Sequence, residues 1–193
     1  YIPGSTYDPG TESWLTYDNP FTLQVLGASH NDNILLIKDL TLFIAVPAQW
    51  WKEGGGVYIE GEGYEGGLEA SSFSYGTPSG LAPHGIYPTH YLAFQLPDMD
   101  VGSGTDVIYD YTPDGGGTDE GVIYTYAIRY WGVKGVHMDA AGTAVFKGGK
   151  EQDVFAPYSH DADAPIPEPA TVLLVGLGAA CAAAFLRRGR ARR

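Results

Sequence analysis

Five histidines and a large stock of carboxylates are the residues with which this chain could do chemistry, and His30, His84, His90, His137 and His160 are spread along its length. His84, His90, His137 and His160, with Asp139 and Asp161, would make a metal site if their segments met at one end of the fold. Zinc, for example, takes three or four nitrogen and oxygen ligands at about 2 Å. Scattered histidines in turns serve equally as exposed or hydrogen-bonded structural residues, and spacing alone does not show convergence. A second candidate is calcium. Asp98, Asp100 and Asp106 lie in a Gly-bearing stretch, and calcium prefers hard oxygen ligands. Asp98-Met99-Asp100-Val101-Gly102 lacks the third acidic position and the closing Glu of an EF-hand loop, so solvated acidic turns are the stronger reading there. Calcium is the one cofactor this reading admits.

Catalytic patterns fail on context. Ser159, His160 and Asp161 have the residue types of a hydrolase triad, but consecutive residues do not converge as nucleophile, base and orienting group. The chain has no G-x-S-x-G elbow and no H-E-x-x-H pair, the usual marks of serine and zinc hydrolases. Gly61-Glu62-Gly63-Tyr64-Glu65-Gly66 has dinucleotide-binding spacing, yet no amphipathic helix follows it and its two glutamates would repel a pyrophosphate. It reads as a glycine-rich hairpin or bulge. The chain is therefore expected not to be an enzyme. Trp14, Trp50, Trp51 and Trp131, with fourteen tyrosines, could stack on sugar rings. In β structure such aromatics more often fill the core or pair across strands.

The elements that would hold these residues are strands. Apolar residues alternate at period two over Phe21, Leu23 and Val25; over Leu40, Leu42, Ile44 and Val46; and over Leu92, Phe94 and Leu96. Further strands are expected at Val57–Glu60, Asp106–Tyr111, Val122–Tyr130 and Thr143–Phe146, which are rich in Tyr, Ile, Val and Thr. Turn clusters at Glu53–Gly56, Thr77–Gly80, Pro97–Thr105 and Pro113–Gly121 separate them. No helical period is evident before Ala170. Short strands with frequent turns predict an all-β outer domain, an antiparallel β-sandwich, over residues 1–160. Asp161–Pro167 is small, acidic and proline-bearing and is expected to be a stalk, part of a 161–169 linker.

Charge divides the chain. Five of its eleven basic residues (Arg187, Arg188, Arg190, Arg192 and Arg193) fall in the last seven positions. Residues 1–166 carry six basic and twenty-two acidic side chains, a net of −16, which repels nucleic acid and anionic lipid. The single cysteine, Cys181, lies in an apolar stretch, so the outer part cannot hold a disulfide. Ala170–Leu186 has no charge and, as a helix, would run about 26 Å, within the range that spans a bilayer. The arginines of 187–193 then stay in the cytoplasm and residues 1–166 face outward. Gly176, Ala180 and Ala184 recur at four-residue spacing, a stripe that could pack on another membrane helix. The chain begins without Met or an apolar segment, which suggests a removed signal peptide or a fragment, the former suiting an exported protein.

Pro167-Glu168-Pro169, the short apolar segment and the arginine cluster, in that order, resemble the PEP-CTERM sorting signal of Gram-negative and related bacteria. The resemblance implies a substrate of an exosortase, a multispanning membrane enzyme that cuts near the Pro-Glu-Pro motif and passes proteins to the cell surface or extracellular matrix. Pro167, Glu168 and Pro169 would serve recognition, and Arg187 and Arg188 retention. The outer part is also similar to the choice-of-anchor N proteins, on Tyr1-Ile2-Pro3-Gly4 with Tyr7-Asp8, Trp14 and Asn19–Leu23, on Pro83–Thr89, and on Phe155–Ala162. No activity comes with that likeness. The expectation is an exported surface or matrix protein with a structural or adhesive role. An extracellular polysaccharide is the alternative partner, and a secreted hydrolase the weaker alternative activity.

Overall fold

The computed structural model describes residues 1–29, 33–81, 85–109, 117–156 and 161–166. In chain order the strands are β1 (Thr6–Asp8), β2 (Ser13–Leu15), β3 (Phe21–Ala28), β4 (Ile34–Val46), β5 (Gly56–Gly61) and β6 (Leu68–Ala70). They continue with β7 (Ser74–Gly76), β8 (Thr89–Gln95), β9 (Asp106–Tyr109), β10 (Thr118–Trp131), β11 (Gly135–Phe146), β12 (Glu151–Phe155) and β13 (Asp161–Pro165). Among the described residues the protein is all-β, as the alternating apolar pattern predicts.

Two sheets form. One has the order β1-β2-β13-β11-β4-β8-β7, with β12 also on β11. The other runs β3-β10-β5-β6, with β9 also on β10. All pairings are antiparallel except β13 with β2. A single hydrophobic cluster draws on both sheets: Leu23 and Val25 of β3, Leu42 and Ile44 of β4, Tyr126 and Ile128 of β10, and Val136 and Met138 of β11. The inward residues of β3 and β4 are the ones whose period-two spacing marks them in the sequence.

Side chains complete the backbone pairing where strands stop. Beyond Phe21↔Ile128, Pro20 has no N–H to offer the ladder. The Asn19 amide takes over, donating to the Tyr130 carbonyl at 2.8 Å and accepting from the Tyr130 N–H at 3.2 Å. On the opposite edge of β10, β9 pairs through Gly121 and β5 only from Tyr126. In the gap, the Ile123 N–H donates to Asp106 (2.8 Å) and the Thr125 N–H to Glu62 (2.9 Å). Gly121 is required in this crowded stretch, since a Cβ there would lie 2.0 Å from the Gly27 carbonyl oxygen.

The stalk expected from Asp161 is corrected. Asp161–Pro165 is an interior strand, parallel to β2 over Asp161–Asp163 and antiparallel to β11 over Ala162–Pro165. Its burial follows from Ala162 and Ala164, which fit under the opposite sheet because they are small. Tyr130 of β10 donates its hydroxyl to the Ala164 carbonyl at 2.6 Å, a bond from one sheet to the other. Among the described residues no helix is long and apolar enough to cross a membrane. The expected span at 170–186 lies outside them.

Candidate metal centre

β11 and β13 are neighbours, and each carries two polar residues at strand spacing: His137 and Asp139 on β11, Asp161 and Asp163 on β13. Val136, Met138, Ala162 and Ala164 belong to the hydrophobic cluster. By alternation the four polar residues share the other face of the sheet. The register sets His137 directly opposite Asp163. That face is nevertheless covered, and all four residues are at most 6% exposed.

The geometry is specific. His137 Nδ1 lies 2.7 Å from Asp163 Oδ1, and Asp163 Oδ2 accepts from the Ser13 hydroxyl of β2 at 2.6 Å. On the other side of the ring, His137 Nε2 lies 3.3 Å from Asp139 Oδ1 and 3.8 Å from Asp161 Oδ2. Tyr87 donates its hydroxyl to Asp139 Oδ2 at 2.8 Å. Burial, then Asp139, raises the Tyr87 pKa well above the usual phenol value, so it stays protonated as a donor.

Burial presses the His137 pKa down, but the carboxylates of Asp139 and Asp163 outweigh it and lift the value to about 10.

Of the histidine and acidic residues that the sequence marks for a metal, the fold unites His137, Asp139 and Asp161, from adjacent strands rather than from loops. Among the described residues these three gather one ligand atom each within 4.8 Å of one another. His90 stands apart, stacked on Trp51 with ring centres 3.6 Å apart. His30, His84, His160 and Ser159 lie outside the described residues, as do Pro167, Glu168, Pro169, Arg187 and Arg188. Asp163 is not a residue that the sequence marks for a metal. The signal that finds it is the pairing of H-x-D with D-x-D at strand period.

The calcium candidates are spent differently. Asp98 Oδ1 accepts from the Asp39 N–H at 3.0 Å, where Asp39 has φ of 53° and the β4–β11 register shifts. Asp106 caps the exposed edge of β10, and Asp100 lies in the loop that precedes β9. The three do not gather as a ligand group among the described residues. Gly61–Gly66 joins β5 to β6 as a hairpin turn, in agreement with its reading as a glycine-rich hairpin. Three of the four tryptophans pack: Trp14 edge-on to Tyr1 and Tyr7, Trp51 against His90 and Phe73, and Trp50 against the cluster.

Residues 165–191 match the PEP-CTERM protein-sorting motif. The motif marks a chain for secretion and for processing by an exosortase at the membrane, with delivery to the surface. It begins at Pro165, the last residue of β13. No curated protein matches the chain. Among solved structures, the chain is similar to one described as "AvmM Catalyzes Macrocyclization in Alchivemycin A Biosynthesis", at 11% identity and a TM-score of 0.25 over 86% of this chain and 98% of that one.

Proposed function

We propose that this is a non-enzymatic cell-surface or matrix protein, structural or adhesive in role, whose two sheets form a sandwich presented outward and freed from its membrane segment by an exosortase. The sorting motif at 165–191 carries the reading. In this reading Ala170–Leu186 spans the membrane, Pro167-Glu168-Pro169 is the recognition element, and Arg187 and Arg188 hold the C-terminus in the cytoplasm. The outer domain is of the choice-of-anchor N kind. Two residues in the stretches that carry that likeness have structural work: Asn19 brackets the Tyr130 backbone, and Tyr87 holds Asp139. Packing of Trp14, Trp50 and Trp51 favours a structural over a sugar-stacking role for the aromatics.

The test is the intact mass of the protein recovered from its host, with and without the exosortase. Loss of the segment after about Pro169 only when the enzyme is present is the expected result. A C-terminus still ending at Arg193 in both strains would overturn the processing claim.

A further inference from the structure

We propose that the outer domain binds one divalent transition-metal cation, zinc by its donor set, through His137 Nε2, Asp139 Oδ1 and Asp161 Oδ2, and that this ion fastens β13 to β11. The two ring nitrogens of His137 stand in different situations. Nδ1 is 2.7 Å from Asp163, inside the range of about 2.7–2.9 Å for a charge-assisted N–H···O bond. Nε2 is 3.3 Å from Asp139 and 3.8 Å from Asp161, beyond that range for both. Around a tetrahedral zinc with bonds of about 2.0–2.1 Å, neighbouring donor atoms lie about 3.3 Å apart. The Nε2–Asp139 spacing is thus that of neighbouring donors around an ion, Asp161 stands about half an ångström wider and closes on the ion by a small side-chain shift, and the spacing on the Nδ1 side is that of a shared proton.

The Nδ1 side has the build that metal-bound histidines use. A ligating imidazole donates its other N–H to a carboxylate, which fixes the tautomer and aims the free lone pair at the metal. Asp163 is that carboxylate, and Ser13 orients it in turn. Tyr87 does the same for Asp139, occupying Oδ2 while Oδ1 faces His137. An imidazole among the donors favours zinc and its transition-metal neighbours over calcium and magnesium, which take oxygen ligands. Exposure of 3% at His137, 6% at Asp139 and 2% at Asp161 makes the site closed to substrate. The ion's role is therefore structural, joining a strand near the chain's C-terminal end to the middle of the sheet.

The experiment uses the untagged full chain in detergent, stripped with a chelator and titrated with zinc chloride by calorimetry, with thermal unfolding followed in parallel. One zinc per chain and a raised unfolding temperature are expected. Asp161→Asn should weaken binding about 100-fold or more and Asp163→Asn about 10–100-fold, while Asp98→Asn leaves it unchanged. Should Asp161→Asn fail to fold, the zinc-edge X-ray absorption of the wild-type chain decides, with imidazole and oxygen scattering expected. A folded, stripped chain that takes up no zinc, a folded Asp161→Asn that binds as tightly as wild type, or bound zinc without imidazole scattering would each overturn the site in favour of a proton-bridged ion network.

Discussion

At the scale of single residues, Tyr130 shows how one side chain serves both sheets. Its backbone is bracketed by Asn19, and its hydroxyl donates to the Ala164 carbonyl of β13. Burial pushes its pKa up from the usual phenol value to about 12. The neutral phenol is the form the fold favours, so its contribution is complete below the unfolded-state value. It falls as pH rises from about 10, where the unfolded chain begins to ionise, and is gone above about 12. Unfolding free energy measured by urea titration should therefore decline across that window, together with a late tyrosinate absorbance step. Tyr130→Phe should cost about 1 kcal/mol at neutral pH, because a buried carbonyl loses its donor, and should flatten the alkaline decline. A variant that is equally stable at neutral pH and equally sensitive to alkali would show that the hydroxyl bond contributes nothing.

At the scale of elements, β13 is the strand on which the sheet depends, although its sequence is that of a linker. It fills the slot between β2 and β11 and receives the Tyr130 hydroxyl. The next residue, Ile166, donates its N–H to the Lys134 carbonyl at 2.7 Å. A chain ended after Ile166 should keep a single cooperative unfolding transition, whereas one ended at His160 should lose most of its stability or precipitate through the opened strand edges. Equal urea midpoints for the two would refute this. The longer strands were legible because Leu40–Val46 and Phe21–Val25 alternate apolar and polar residues, as burial of one face demands. β13 was not, because D-A-D-A-P hides its alternation: the alanines enter the core, and the other face is acidic yet also buried, with Asp163 held by His137 and Ser13. Composition alone cannot distinguish a carboxylate solvated by water from one solvated by protein. β1, β2, β6 and β7, of three residues each, are too short for any period to show. The candidate site was half visible, since His137, Asp139 and Asp161 were in view as residue types while the register that unites them was not.

At the scale of the whole molecule, the sorting signal follows the fold with almost no spacer. β13 ends at Pro165 and the matched motif begins at that residue, so if 170–186 is in the membrane, as proposed above, only residues 166–169 separate strand from bilayer. Four residues reach at most about 14 Å, while a folded domain of this size has a radius of gyration of about 15 Å. In the proposed reading the domain is therefore pressed toward the headgroups before cleavage. With six basic and twenty-two acidic residues over 1–166, it is repelled by anionic lipid within a Debye length of about 8 Å. An exosortase working near Pro167-Glu168-Pro169 must reach past this bulk. Inserting about ten Gly/Ser residues between Ile166 and Pro167 adds up to about 33 Å of reach and should speed loss of the C-terminal segment several-fold in a pulse–chase. The same insertion in a chain that also lacks Asp161–Pro165, and so cannot complete its sheet, should give little further gain. Equal processing rates with and without the spacer in the otherwise intact chain would mean that the enzyme acts before β13 docks, which would place cleavage ahead of folding.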